Sequence, residues 1–419
     1  MTSRRFNGCG CSRRDFLQKG LYGIGATAGL PLLLSRTTQA LTAQALTGTS
    51  TEVHPERILV VVELSGGNDG LNTVVPFGDD GYYRVRPNLG ISVADAIAIE
   101  DGFGFHPALV GFERLYKDGL MAVVHGCGYE NPSLSHFSSM GFWHTGVPNG
   151  GEPLGWLGRL ADGAYEHDAQ GNKIVNIGTR QSLAVRARHH QPLVFNDPRS
   201  FRRVGSDAEK NSIEGLRPGS TENPTLEFMA ATAKNAVESS EFVREAAAGY
   251  STPIDYGIGG LSPQLRRVAA LINAEMPTRL YYVSYQGNSF DTHVHQADPH
   301  ARLLAYTADA VRGFVEDLKR IGRADDVAIM MFTEFGRRVE ENASLGTDHG
   351  TATPMFVIGN GVQGGLHGRH PSLTDLDDGN LKMTTDFRRV YATMIEQWLG
   401  FEDSASILKG SFRPIGLFA

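Results

Sequence analysis

The apolar positions of this chain fall into short unbroken runs that alternate with longer periodic ones. "ILVVVEL" (58–64), ended by Gly66 and Gly67, has the length and β-branched content of a buried strand leading into a tight loop. "GLMAVVHGCG", "RLYYVSYQG", "DVAIMMFTEFG" and "PMFVIGNG" are four more such strands, and "IVNIGTRQSLAVRARHHQPLVF" holds short strands with the look of a hairpin. Helical spacing runs through "SLSHFSSMGFWHTG" and through "SPQLRRVAALINA", where Ser262 is the expected N-cap and Pro263 the first helical residue. In "PHARLLAYTADAVRGFVEDLKRIG", Leu304, Ala308, Val311, Val315 and Leu318 share one face, and Gly322 stops the helix. "DFRRVYATMIEQWLG" is a further helix. Strands alternating with helices predict an α/β fold, a mostly parallel central sheet flanked by helices. Residues 205–225 are polar and rich in Gly, Ser and Pro, as expected for a loop within an inserted loop and helical region around 160–260.

Ligands of open α/β sheets sit beyond the carboxyl ends of the strands. Polar residues cluster there in this chain. Glu63, Ser65, Asn68 and Asp69 follow the first strand; Asp291, His293 and His295 follow "RLYYVSYQG"; Thr333 and Glu334 follow "DVAIMMF"; Asp348 and His349 precede "PMFVIG". Each has a plainer reading alone: a turn capped by Asp348, surface histidines at 293 and 295, a Gly-Gly-Asn-Asp turn, or an ion pair of Glu334 with Arg337 or Arg338. Together, carboxylates and imidazoles at four strand ends point to a metal-binding site, the donor set of zinc, manganese or iron.

The N-terminus changes the picture of location. Arg13 and Arg14 precede Phe16, Leu17 and the modest apolar run "LYGIGATAGLPLLL", and "AQA" at 43–45 supplies a small-x-small cleavage site. This is the pattern of a twin-arginine signal peptide over residues 1–45, predicting passage through the twin-arginine machinery to the periplasm or exterior with no stable membrane span after cleavage. Six of the 39 basic and one of the 46 acidic residues lie in that segment, leaving 33 and 45, a net charge near -12. Such a surface excludes nucleic acid as the expected partner. Of three cysteines only Cys127 lies beyond the signal, so no intrachain disulfide and no cysteine-based metal site is expected there.

"LVVVELSGGNDGLNTVVPFGDDGYYRVRPNLGI", "SFDTHVHQ", "TEFGRRVEENASLGTDHG" and the twin-arginine start resemble an exported bacterial family, domain of unknown function 1501, over nearly the whole mature chain. That family in turn resembles the alkaline phosphatase and sulfatase superfamily. The resemblance implies an alkaline-phosphatase-like core in residues 46–419, with an Asp-x-x-x-His pair at Asp291 and His295. It also implies Glu334 in the place of a metal Asp, Phe335 in the place of a metal His, and His349 as the late metal His. The first-strand ligand is Glu63 or Asp69, and the spacing does not choose between them. The nucleophile window is "NPSLSHFSSMGFWHTG", with Ser135 as nucleophile and His136 as base or ligand; the plain alternative for Ser135 is a helix N-cap.

The expected metal set is therefore Asp69, Asp291, His293, His295, Glu334, Asp348 and His349, around a divalent ion: zinc, manganese or calcium. The expected activity is metal-assisted hydrolysis of phosphate or sulfate esters, small or polymeric. The rival expectation is a non-catalytic binding or assembly protein that keeps the fold, because fold likeness alone does not carry activity.

Overall fold

The computed structural model describes residues 54, 56–165, 172–201, 223, 238–285 and 287–418. The expected signal peptide at 1–45, and most of the polar stretch at 205–225, lie outside them. Among the described residues nine strands form the main sheet: β1 (Ile58–Glu63), β2 (Met121–Gly128), β3 (Ile174–Ile177), β4 (Leu193–Phe195), β5 (Leu280–Ser284), β6 (Val327–Phe332), β7 (Thr353–Ile358), β8 (Gly365–His367) and β9 (Thr385–Asp386). Their order is β8-β2-β7-β6-β1-β5-β3-β4, with β9 also paired to β2.

The fold is mixed α/β and the sheet is mostly parallel. β1 pairs in parallel with both β5 and β6, while β7 runs antiparallel to both its neighbours, β2 and β6. This one reversal positions the site. Because β7 runs backwards, the residues before it arrive at the edge where β1, β2, β5 and β6 end. β3 and β4 pair in parallel rather than as a hairpin. The fifteen residues between them are too long for a tight turn and instead cross over, using the short 3-10 turn Leu183–Val185. Residues within the expected inserted region thus extend the main sheet.

β1 is buried on both faces, which explains its unbroken apolar run. Ile58, Val60 and Val62 enter one core with Phe112 of α1 (Val110–Lys117), Leu265 of α3 (Leu261–Asn273) and Leu304 of α4 (Ala297–Arg320). Leu59 and Val61 enter the other with Trp143 of α2 (His136–Thr145) and with Trp156. Burying such a side chain stabilises the fold by about 1.5–3 kcal/mol. α3 begins two residues earlier than its sequence predicts, with Gly260 as N-cap; the Ser262 hydroxyl instead donates to the carbonyl of Tyr256. Among the described residues no helix is long and apolar enough to cross a membrane.

Candidate metal centre

Four segments deliver side chains to the carboxyl edge of the sheet. His136 opens α2, Asp291 and His293 lie in the loop after β5, Glu334 and Arg337 follow β6, and Asp348 and His349 precede β7. Close backbone approach makes this possible. A Cβ on Gly66, where φ is +120°, would stand 2.6 Å from the Asp291 amide nitrogen, and one on Gly350 would stand 2.3 Å from the Arg337 carbonyl carbon. Only glycine lets those loops close on each other. Gly350 behind the Asp348–His349 pair is therefore a steric requirement.

His136, Asp291 and His349 each offer a donor atom within 4.8 Å of the other two. His293 joins them: its Nε2 lies 2.9 Å from Asp291 Oδ1 and 2.9 Å from Nε2 of His349. Each of the three rings also has an acceptor on its outer side. Nδ1 of His136 lies 2.7 Å from Glu334 Oε1, Nδ1 of His293 lies 3.3 Å from Asp348 Oδ1, and Nδ1 of His349 lies 2.8 Å from the carbonyl oxygen of Leu134. Carboxylates and carbonyls only accept, so a neutral ring that donates through Nδ1 turns an unprotonated Nε2 inward, the form a bound cation selects. In that form three lone pairs and a carboxylate converge. His136 Nε2 is buried without a hydrogen-bond partner, although Asp291 Oδ2 is 3.3 Å away. A tetrahedral zinc-like ion would space its ligands roughly 3.3–3.5 Å apart, so these residues fit a divalent ion.

The surroundings set the charge of this group. Burial would raise the Asp291 carboxyl, but the Arg337 guanidinium outweighs it and, with His349 and His293, holds the group at about 2, as a firm anion. Arg337 is buried, donating to the carbonyls of Gly67, Thr347 and Phe290 and, at 2.7 Å, to Asp291. The hydrogen bond that Glu334 accepts raises His136 against the pull of burial, and burial lowers His349. Glu334 is fully buried and accepts from the Gly66 amide at 2.9 Å and the Thr333 hydroxyl at 3.0 Å. It grips His136 from behind rather than facing the three inward nitrogens. Phe335 fills the space between rings, its centroid 4.8 Å from those of His136 and His349.

A family described as "Protein of unknown function (DUF1501)" matches residues 56–412. The chain belongs to the DUF1501 family. No curated protein matches it. The DUF1501 chain is similar to the lipoteichoic acid synthase LtaP from Listeria monocytogenes, at 9% identity and a TM-score of 0.38, covering 85% of this chain and 75% of that one. It is also similar to the zinc complex of the C-terminal periplasmic domain of EcEptC from Escherichia coli, at 10% identity and a TM-score of 0.40, covering 84% and 83%. A third likeness is to the PsFucS1 sulfatase from Pseudoalteromonas sp., at 12% identity and a TM-score of 0.39, covering 93% and 75%.

Several expected site residues of this DUF1501 chain lie elsewhere. Asp69 caps the short helix Gly70–Thr73, and that turn points its carboxylate inward, where Oδ2 takes hydrogen bonds from Arg86 at 2.6 Å and Gln296 at 2.5 Å. Glu63 pairs at 2.7 Å with His144 and also accepts from the Tyr282 hydroxyl. Neither joins the cluster. His295, at a φ of 44°, is exposed and makes none of the contacts above; the left-handed turn leaves His293 facing Asp291. Asp348 is 57% exposed and acts on His293 from outside, with Asn342 at 3.0 Å as its other partner. Ser135 stands at the N-cap of α2, exposed, and its hydroxyl makes no hydrogen bond to its own helix. Arg337 as the partner of Asp291, and the Leu134 carbonyl, carry no signal in the sequence: one is an arginine among several, the other a backbone atom.

Proposed function

We propose that this chain is an exported, metal-dependent hydrolase of phosphate or sulfate esters. The carrying observation is that Nε2 of His136, His293 and His349 all face the Asp291 carboxylate while each Nδ1 has an acceptor on its outer side, beside the N-terminus of a ten-residue helix. Those four residues would hold the ion. Of the ions expected, zinc suits three imidazoles and a carboxylate best; calcium, which takes six to eight oxygen ligands, suits them least. Bound there, the ion would polarise an ester oxygen and acidify the attacking hydroxyl.

The rest is done by the chain. The first amides of α2 favour a phosphate or sulfate group at the helix end. Ser135 lies at that end, with a hydroxyl not consumed in capping, and is the candidate nucleophile. Glu334 holds the His136 ring, and Arg337 keeps Asp291 ionised and aimed. The order of the sequence motifs, which resembles that of alkaline phosphatases and sulfatases, favours phosphate or sulfate over other esters. The twin-arginine pattern at Arg13 and Arg14 supports action in the periplasm or outside the cell.

One observation favours the non-catalytic reading. Phe335 occupies a ligand's place in the resembled motif, and Asp69 is tied to Arg86, so among the described residues no second ion site is built beside the first. Metal analysis of the exported protein, with assays of phosphate and sulfate mono- and diesters from neutral to alkaline pH, decides between them. A metal-loaded, folded protein inactive on every ester leaves the binding reading.

A further inference from the structure

Residues 130–145, 285–296 and 333–350 supply the side chains of the centre. They hold six carboxylates, Glu130, Asp291, Glu334, Glu340, Glu341 and Asp348, against two arginines and no lysine. We propose that the centre selects esters whose acidic half bears a single negative charge, a sulfate monoester or a phosphate diester, over phosphate monoesters, which bear two. The proposal rests on the hydrolase reading for the word ester; the charge preference is read from the chain's own ionised groups.

The deciding group is Arg337. An arginine at an anion site can offer its planar fork to the anion, but this one is fully engaged. Its side chain is closed to solvent, and it donates to the carbonyls of Gly66, Gly67, Thr347 and Phe290 and to the Asp291 carboxylate. Its remaining Nη1 hydrogen lies toward His293 Nε2, 3.4 Å away. Arg337 therefore adds charge to the centre without a free face for a substrate. Among the inner groups, the two positive charges of a divalent ion and the one of Arg337 stand against the carboxylates of Asp291 and Glu334, which leaves one positive charge. Neutral ligating rings add none. One anionic charge on the substrate balances that surplus; a second enters unmatched, at a partly buried place where this is costly.

The outer groups push the same way. Asp348 lies 3.3 Å from His293, on the outer side of that ring. Arg338 is the other arginine of these segments, and its Nη2 lies 3.3 Å from Asp378 Oδ2. Phe335, which touches the rings of His136 and His349, also lines a cavity of about 200 Å³. Of the charged side chains on that wall, Lys382 is paired with Asp375, while Glu130 and Asp377 are exposed; Asn131 is neutral. The basic side chains are thus matched and carboxylates are left over. Among the described residues no other group of three His, Cys, Asp or Glu donors lies close enough to hold a second ion, which would have matched a second charge.

The test uses the full, zinc-loaded chain and reads binding as well as turnover. Phenylphosphonate has no ester to lose and sheds its second proton near neutral pH, as phosphate esters do. Methylphenylphosphinate, with a carbon in place of one oxygen, stays singly charged. Both are titrated by calorimetry from pH 6.5 to 8.5. Phosphonate affinity, relative to the phosphinate, should fall about tenfold per pH unit once the second proton is gone. At pH 8.5, 4-nitrophenyl sulfate or bis(4-nitrophenyl) phosphate should have a higher kcat/KM than 4-nitrophenyl phosphate, and whichever is used tells sulfate from diester. Asp348→Asn keeps an oxygen for His293 and removes one outer negative charge. It should raise the phosphonate-to-phosphinate affinity ratio at pH 8.5 roughly two- to sixfold. An unchanged ratio in that variant, a ratio that holds level with pH in the wild type, or a preference for 4-nitrophenyl phosphate overturns the proposal and leaves the hydrolase reading intact. Selection of the phosphinate with no ester hydrolysed supports the charge preference and removes the hydrolase reading.

Discussion

Glu334 Oε1 lies 2.7 Å from Nδ1 of His136, and this bond decides which nitrogen of His136 faces Asp291. The carboxylate is buried and anchored by the Gly66 amide, so it cannot swing into the cluster and act as a ligand without losing that support. Carboxylates that hold a metal-ligating imidazole typically contribute 10–100-fold in metal affinity. Glu334→Gln should therefore weaken zinc binding by about that factor without removing it, while His136→Ala, which deletes a donor, should weaken it further. Competition titration with a chelator reads both. Equal affinities for wild type and Glu334→Gln would show that Glu334 does not position His136.

Ser135 separates chemistry from folding. Its hydroxyl makes no cap bond, so Ser135→Ala should change stability by less than the ~1 kcal/mol of an ordinary N-cap loss. Turnover should disappear with metal content unchanged, because a nucleophile is not a structural ligand. Urea unfolding, metal analysis and ester assay on one preparation check all three. Retained turnover would move the nucleophile elsewhere.

The sequence makes the strands legible because burial on both faces forces unbroken apolar runs such as Ile58–Val62, and their polar ends point to the correct edge. It does not make β7's direction legible: direction depends on which strand pairs with which, and the run "PMFVIG" reads the same both ways. Nor does it choose His293 over His295. That choice hangs on one left-handed residue, His295 itself, two positions from the ring that enters the cluster. Asp69 sits in a turn beside the first strand as a ligand would, yet it is claimed by Arg86, 17 residues on. No local pattern announces a pairing made by tertiary closure.

Asp69 should accordingly behave as a structural group. Arg86 and Asp69 are both buried, and removing one partner leaves the other charge uncompensated, a loss of about 3–5 kcal/mol for buried pairs. Asp69→Ala should lower the urea midpoint strongly. At a temperature where it is still folded, its metal content should match wild type. A stable Asp69→Ala protein that has lost its metal would return Asp69 to the ligand set.

Export gives a prediction independent of the site. Arg13→Lys combined with Arg14→Lys should leave the chain uncleaved in the cytoplasm, since the machinery reads the arginine pair. Cell fractionation and the mass of the recovered protein check it. Normal cleavage of the double variant would rule out that route.

Acid should destabilise this fold well above the carboxylate range. Burial pushes His300 down to about 3 and His106 to about 4; burial, then His370 and His367, push His125 down to about 3. Folded, these rings stay neutral; unfolded, each takes a proton near 6.5. A group depressed in the folded state contributes stability that is complete above its unfolded value and is lost as pH falls towards its folded one. The window thus runs from about 6.5 down to about 3. Within it the unfolded chain binds more protons, so stability falls with pH, at up to about 1.4 kcal/mol per pH unit for each histidine. Asp69, whose pairing with Arg86 overcomes the upward push of burial, adds to the loss only below its ordinary value of 3.8. Urea midpoints at pH 7.5, 6.0 and 5.0 should therefore decline steadily. His300→Gln, which keeps a donor for Asn68, now 2.9 Å from His300 Nε2, should flatten the decline. The same slope in that variant and in wild type would show that His300 does not carry it.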